Sequence, residues 1–310
     1  MNIFLRKVIK LSFIFTLFLQ SFALSIENKI MLKINNQIIT TIDVNQEANY
    51  LKALNPNIQN LDKKKILDIA RSSLIREKIK EIELSKYKKN EINPKYLEQM
   101  IQSIYTKINL ENKSEFKKYV KNFGIDMEII EKKLQIETRW NQLIYKKFFS
   151  KLKIDKESIR KNIDANREKS ISFLLYEIVF SIDKDNQNNE VFNSIEKSIL
   201  KEGFENAASI YSISESSKTG GNLGWVNENN INNKILKNVN TLEIGQHTKP
   251  ILIPGGFLIL QLKDKKNVEK KIDIEKELVL RIRSLQNQQL NQYSNIYFKK
   301  IKKDILINEK

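Results

Sequence analysis

The chain has 310 residues, 41% of them hydrophobic, with 54 Lys and Arg against 37 Asp and Glu and a formal net charge of +17. That length suits two domains, or one domain with a long helical attachment. It contains no cysteine and one histidine, His247. Disulfides, cysteine-based zinc sites and Cys-His dyads are therefore excluded, and any histidine-dependent metal site or triad has a single residue to draw on.

The first residues, MNIFLRKVIKLSFIFTLFLQSFALS, open with Arg6, Lys7 and Lys10, continue in an apolar run from Leu11 to Leu19, and reach small residues at Ser21 to Ala23. That order predicts a secretory signal over residues 1–23, removed after Ala23. The apolar run is short of the ~20 residues of a membrane span. An uncleaved anchor is the other reading of the same segment.

Residues 24–168 read as a helical module. Ile30 to Ile39 (IMLKINNQII) forms a hairpin signal around Asn35-Asn36, and Thr40 or Thr41 offers an N-cap with Asp43 in the first turn. Asp62 opens a run with Ile66, Ile69, Leu74, Ile75, Ile79 and Ile82 at helical spacing. Asn93-Pro94 starts the next helix, and a short one after Ser114 stops at Gly124. Asp126 is expected to cap a long helix carrying Ile129, Ile136, Trp140 and Phe148, and Asp155 precedes another short one.

At Ser170 the texture becomes β-type, in SISFLLYEIVFSI, and glycine, rare before this point, becomes frequent. A helix near Val191 to Lys201, a second into Tyr211, the loop YSISESSKTGGNLGWV, a polar stretch with Ile231 and Ile235, and strands at Pro250 to Ile253 and Gly256 to Leu262 follow. The order β-α-α-loop-α-β-β over residues 169–267 predicts a compact α+β domain. Residues 268–310 return to helix, with Leu278, Ile282, Leu285, Tyr293, Tyr297 and Ile301 in step, and Asp304 to Asn308 is a candidate last strand. A helix of that length needs a partner for its apolar face, and the N-terminal module is the natural one. The predicted fold class is α+β in two domains: a helical module completed by the C-terminal helix, and a small antiparallel sheet domain inserted between them.

Across Ser170 to Lys266 the sequence resembles the parvulin family of peptidyl-prolyl isomerases. The resemblance rests on Gly203-Phe204, Ala207-Ala208, Tyr211-Ser212, Gly220-Gly221-Asn222-Leu223-Gly224-Trp225, Gly245, Pro250 and Gly256-Phe257. The whole plan is similar to the SurA family of periplasmic chaperones, with one parvulin domain instead of two. The resemblance implies a periplasmic folding factor for unfolded outer-membrane proteins. It implies no cofactor and no nucleic-acid partner. Membrane contact would be transient, or through an uncleaved signal. The +17 charge fits that reading, since Lys is spread along helices and mixed with Glu, and no phosphate loop or dinucleotide fingerprint occurs.

Prolyl isomerisation lowers a rotational barrier of about 18–20 kcal/mol without covalent chemistry. Active parvulins resemble one another in two strand histidines, a nearby Cys or Asp, and an apolar proline pocket. Carried over position by position, the histidines fall on Glu177 and Leu258 and the Cys/Asp on Ser214. The pocket falls near Ile231 and Ile235, with Leu223, Trp225 and Phe257 as further substrate contacts. The domain is therefore expected to be a weak or inactive isomerase. Two readings of Glu177 stay open: an enclosed carboxylate beside Ser214, whose pKa burial would raise, or a surface residue placed by strand alternation. Glycine at Gly220-Gly221 allows positive φ and close backbone approach. His247 is expected as a solvated residue of the turn after Gly245.

Overall fold

The computed structural model describes residues 28–88, 91–165, 170–181, 188–268 and 274–309; the proposed signal segment lies outside them. β1 (Ile30–Ile34) and β2 (Gln37–Thr40) form the hairpin, turning through Asn35 at φ 48°. Thr40 caps α1 (Thr41–Leu54) in a reciprocal box. Its hydroxyl accepts from the Asp43 amide, and the Asp43 carboxylate accepts from the Thr40 amide at 2.8 Å. α2 (Lys63–Ser85), α3 (Pro94–Lys107), α4 (Lys113–Lys121), α5 (Met127–Phe148) and α6 (Lys156–Ala165) follow. Asp62, Asn93 and Asn112 accept hydrogen bonds from first-turn amides. Asp126 does not: it precedes α5, but its carboxylate is turned to Lys121 at 2.7 Å instead of capping the helix. Gly124, at φ 70°, ends the preceding turn as expected.

The helical module closes on one apolar core containing Leu32, Ile34, Ile39, Leu51, Ile79, Phe116, Ile130 and Trp140. Its last wall comes from the far end of the chain. α10 (Ile274–Lys302) contributes Tyr293, Tyr297, Phe298 and the buried Ile301, and Trp140 Nε1 donates to Ser294 Oγ at 2.7 Å. β7 (Ile307–Glu309) then pairs antiparallel with β1, giving a sheet in the order β2-β1-β7. Inside the core Lys133 reaches Glu47 at 2.6 Å and Glu77 at 2.5 Å and lies over the Tyr50 ring. A buried cation with two carboxylates and a ring face is paired rather than orphaned.

The second unit is built on β3 (Ser170–Phe180), followed by α7 (Asn188–Glu202) and α8 (Phe204–Tyr211). β4 (Asn222–Asn227), α9 (Asn233–Val239), β5 (Ile251–Ile253) and β6 (Gly256–Val268) complete it. The antiparallel sheet runs β4-β3-β6-β5. The order expected from sequence had no strand at Asn222. β4 is an edge strand whose outward residues, Leu223 and Trp225, are 38% and 44% exposed, so glycines and polar residues hide the two-residue alternation. Phe173, Leu175, Val179, Leu258, Leu260 and Leu262 pack on one face against Ile231, Ile235 and Val239. Ile178, Phe180 and Ile259 pack on the other face against Phe204, Ala207, Ala208 and Ile195.

Candidate functional site

Strand alternation sets the position of Glu177. It lies two residues from Leu175 and two from Val179, both in the cluster with Ile231, Ile235 and Leu258, so it shares their face. Its neighbour across the ladder is Leu260. It is half-buried, and of the two readings the enclosed carboxylate is the one observed. Ser214 Oγ donates to Glu177 Oε1 at 2.6 Å, and Ser216 Oγ donates to the same oxygen at 2.8 Å. Burial raises the Glu177 pKa above the ordinary carboxylate value, and the two hydroxyls, which favour the ionised form, only partly offset it. Ser216 had no signal of its own in the sequence; it enters because residues 215–219 form a tight 3-10 turn that brings positions 214 and 216 to one side.

The loop is fastened to β3 through its main chain. Val179 N donates to Ser212 Oγ at 3.0 Å, Ile213 N donates to the Val179 carbonyl at 2.7 Å, and Glu177 N donates to the Gly221 carbonyl at 2.8 Å. Gly221, at φ 81°, is required by this contact: a Cβ there would lie 2.3 Å from the Glu177 carbonyl oxygen.

The expected substrate contacts divide between the two faces. Ile231, Ile235 and Leu258 come together, each 6% exposed, and close over one another with Ile251. Leu258, an aliphatic side chain, stands opposite Val179 and Ile251. Trp225 stands opposite Leu174 and Phe257 opposite Phe180. Directly opposed residues share a face, so these two aromatics point away from Glu177, whereas Leu223 sits at the register shift of the β3–β4 ladder, where alternation is interrupted. Phe257 stacks on Phe180, ring centroids 5.6 Å apart, and Trp225 carries Lys266 Nζ over its ring at 4.0 Å. His247 is not the solvated turn residue expected: it bridges to Gln261, packs beside Phe204 and lies 3.7 Å from Glu196. The turn folds back along β6, which sequence spacing does not reveal. Among the described residues no group of three or more His, Cys, Asp or Glu is placed to hold a metal ion.

The same loop also faces the helical module. Arg76 on α2 donates to the carbonyls of Ser212 and Ser214, both at 3.3 Å. Lys80 on α2, 4% exposed, pairs with Glu137 on α5 at 2.7 Å and with Glu215 of the loop. Lys218 of the loop pairs with Glu215 at 3.0 Å and Glu137 at 3.4 Å, making a charge-balanced group of two cations and two anions. Burial acts to raise the Glu215 pKa, but the charges of Lys218, Lys80 and Arg76 outweigh it and hold the carboxyl well below its ordinary value. Asn55 Nδ2 donates to Ser209 Oγ at 3.1 Å, and Lys65 pairs with Glu202. Side chains 214 and 216 thus face Glu177 while 215 and 218 face the helices.

Residues 176–264 match the family model described as Rotamase, PPIC-type PPIASE domain. Chaperone SurA of Chromobacterium violaceum is 34% identical over 76 residues, 24% of this chain and 18% of that protein. Chaperone SurA of Pseudomonas putida is 35% identical over 69 residues, 22% of this chain and 16% of that protein. The matched segment thus spans less than a fifth of these curated relatives. A solved PpiC-type isomerase domain is 31% identical over 31% of this chain and 92% of its own, with a TM-score of 0.27. A solved chain described among SurA-like chaperones of Campylobacter jejuni is 18% identical over 91% of this chain and 99% of its own, TM-score 0.33. Residues 176–264 match the PpiC-type peptidyl-prolyl isomerase domain, and the similarity to the two SurA chaperones covers about a quarter of this chain.

Proposed function

We propose that the chain is an exported folding factor that holds unfolded polypeptide, outer-membrane β-barrel segments among them, in the periplasm. On this reading its parvulin-type domain serves mainly as a binding and docking unit and is weak or inactive as an isomerase. The observation that carries the weak-isomerase reading is the pair Glu177 and Leu258. Leu258 is 6% exposed among aliphatic side chains and offers no polar group to a twisting peptide bond. The holding role draws support from the SurA likeness, from the signal-type N-terminal sequence, and from exposed aromatic side chains on the helical module. Those side chains include Tyr87, Tyr96, Tyr145 and Phe149. Among the described residues no helix is long and apolar enough to cross a membrane.

Two assays on the mature chain test this reading. Aggregation of a diluted, unfolded β-barrel protein should be suppressed at stoichiometric amounts; absence of protection sinks the holding role. Proline-limited refolding should be accelerated far less than by a two-histidine parvulin; comparable acceleration rejects the weak-isomerase reading. A second reading, a working isomerase, is favoured by the Glu177–Ser214–Ser216 group, which keeps a polar centre beside the apolar floor. In that case Glu177→Ala and Ser214→Ala lower the refolding rate constant. The mass of the mature N-terminus separates a soluble form from one tethered by residues 1–24.

A further inference from the structure

α10 and the β5–β6 hairpin face each other across a cleft with two chambers. They meet at the hairpin tip, where a Cβ on Gly255 would lie 3.0 Å from Ile296 Cγ1. On one side of that contact is a space of about 440 Å³, on the other a space of about 390 Å³, and Ile296 lines both. The floor of the larger chamber is apolar, with Ile235, Ile251, Leu252 and Tyr293, so it begins where the Glu177 face of the sheet ends.

The charge on the walls is one-sided. Lys151, Lys153 and Lys234 line the first chamber and Lys299, Lys300 and Lys303 the second, with no carboxylate in either. Over the whole chain acidic residues number 37 against 54 basic ones, so the lining is more basic than the chain as a whole. Two features select a polypeptide rather than a simple anion. β5 is the outer strand of its sheet, with Leu252 62% exposed, and an outer strand presents unpaired N–H and C=O groups. In addition, α10 already reads extended backbone at this cleft: Lys153 N donates to Gln289 Oε1 at 2.9 Å and Gln289 Nε2 donates to the Lys153 carbonyl at 2.8 Å. Gln288 and Gln292 line the same chamber.

We propose that this cleft binds an extended polypeptide segment in which acidic side chains flank apolar ones, laid along the outer edge of β5 beneath α10. The inference rests on the folding-factor reading and names the class of segment held. Apolar side chains enter the floor, backbone groups pair with β5 and the glutamines, and carboxylates meet the two lysine groups.

The test is fluorescence anisotropy of the mature chain with short unstructured peptides of equal length and apolar content. Their charged positions are Glu, Gln or Lys, and a further Glu peptide is N-methylated at alternate residues. The Glu peptide should bind about tenfold tighter than the Gln peptide, since several partly exposed ion pairs add up. Salt should erode that difference, and N-methylation should remove most of the binding. The triple variant Lys151→Glu, Lys153→Glu, Lys234→Glu should bind the Glu peptide about tenfold more weakly and come to favour the Lys peptide. All three lysines are exposed, and an unchanged melting temperature checks the fold. Equal affinity for Glu and Gln peptides, or no effect of charge reversal, overturns the proposal. So does indifference to N-methylation with full displacement by heparin, which marks a plain polyanion surface. If no peptide binds while β-barrel aggregation is still suppressed, the cleft assignment falls and the folding-factor reading stands. If both fail, both fall.

Discussion

Glu177 accepts two serine hydroxyls on one oxygen while its surroundings are aliphatic, and the balance of these influences leaves its pKa raised. A carboxyl with a higher pKa folded than unfolded favours the folded state at low pH. That contribution is lost as pH rises through the folded pKa, above which the buried charge is a penalty. Glu177→Gln keeps an oxygen for both serines and cannot ionise. Its stability relative to the parent should therefore improve as pH rises from below 4.5, the ordinary carboxylate value, toward neutrality. Urea unfolding across that range checks this; an offset independent of pH would mean that the charge carries no penalty. At this scale the sequence supplied the pairing of Glu177 with Ser214 but not Ser216. The partners of a strand residue across a turn depend on how tightly the turn winds.

Local elements were the most legible, because caps and breakers act within a few residues. Thr40 with Asp43, Asp62, and Asn93 before Pro94 all stand where the spacing predicts. Asp126 failed as a cap since Lys121, brought close by the Gly124 turn, is a stronger partner for its carboxylate. Two glycines separate local from tertiary cause. Gly124 has positive φ, and a Cβ added there would meet nothing within 4 Å, so Gly124→Ala should cost about 1 kcal/mol from backbone conformation alone. Gly221 has positive φ, and its Cβ would lie 2.3 Å from the Glu177 carbonyl oxygen, so Gly221→Ala should cost more than about 2 kcal/mol. Denaturant unfolding compares them, and similar values would show that the close approach relaxes at little cost.

Over the whole molecule the two units meet through charge as well as shape. Lys80→Met leaves Glu137 and Glu215 without their buried partner and should cost about 2 kcal/mol, less than a fully enclosed pair because Glu215 keeps 44% exposure. Amide exchange at Ile213 and Gly221 should quicken in the same variant. Lys113→Met, which breaks an exposed pair with Glu98, should change stability by less than about 0.5 kcal/mol. Equal effects of the two substitutions would mean that the interface network adds nothing. The Glu215 carboxyl titrates below its ordinary value, so its stabilising contribution is present above 4.5 and is lost as pH falls, opposite in sign to Glu177. The sequence by itself determined the helices, the hairpin and the parvulin-type segment, because periodicity, caps and motifs are properties of neighbours in the chain. Only the tertiary structure decided that Trp225 and Phe257 turn away from Glu177, and that Glu215 and Lys218 bind the helices. Only it placed a lysine-lined cleft beneath α10. Each of these depends on which face, edge or distant helix a residue meets, and neither spacing nor composition encodes that.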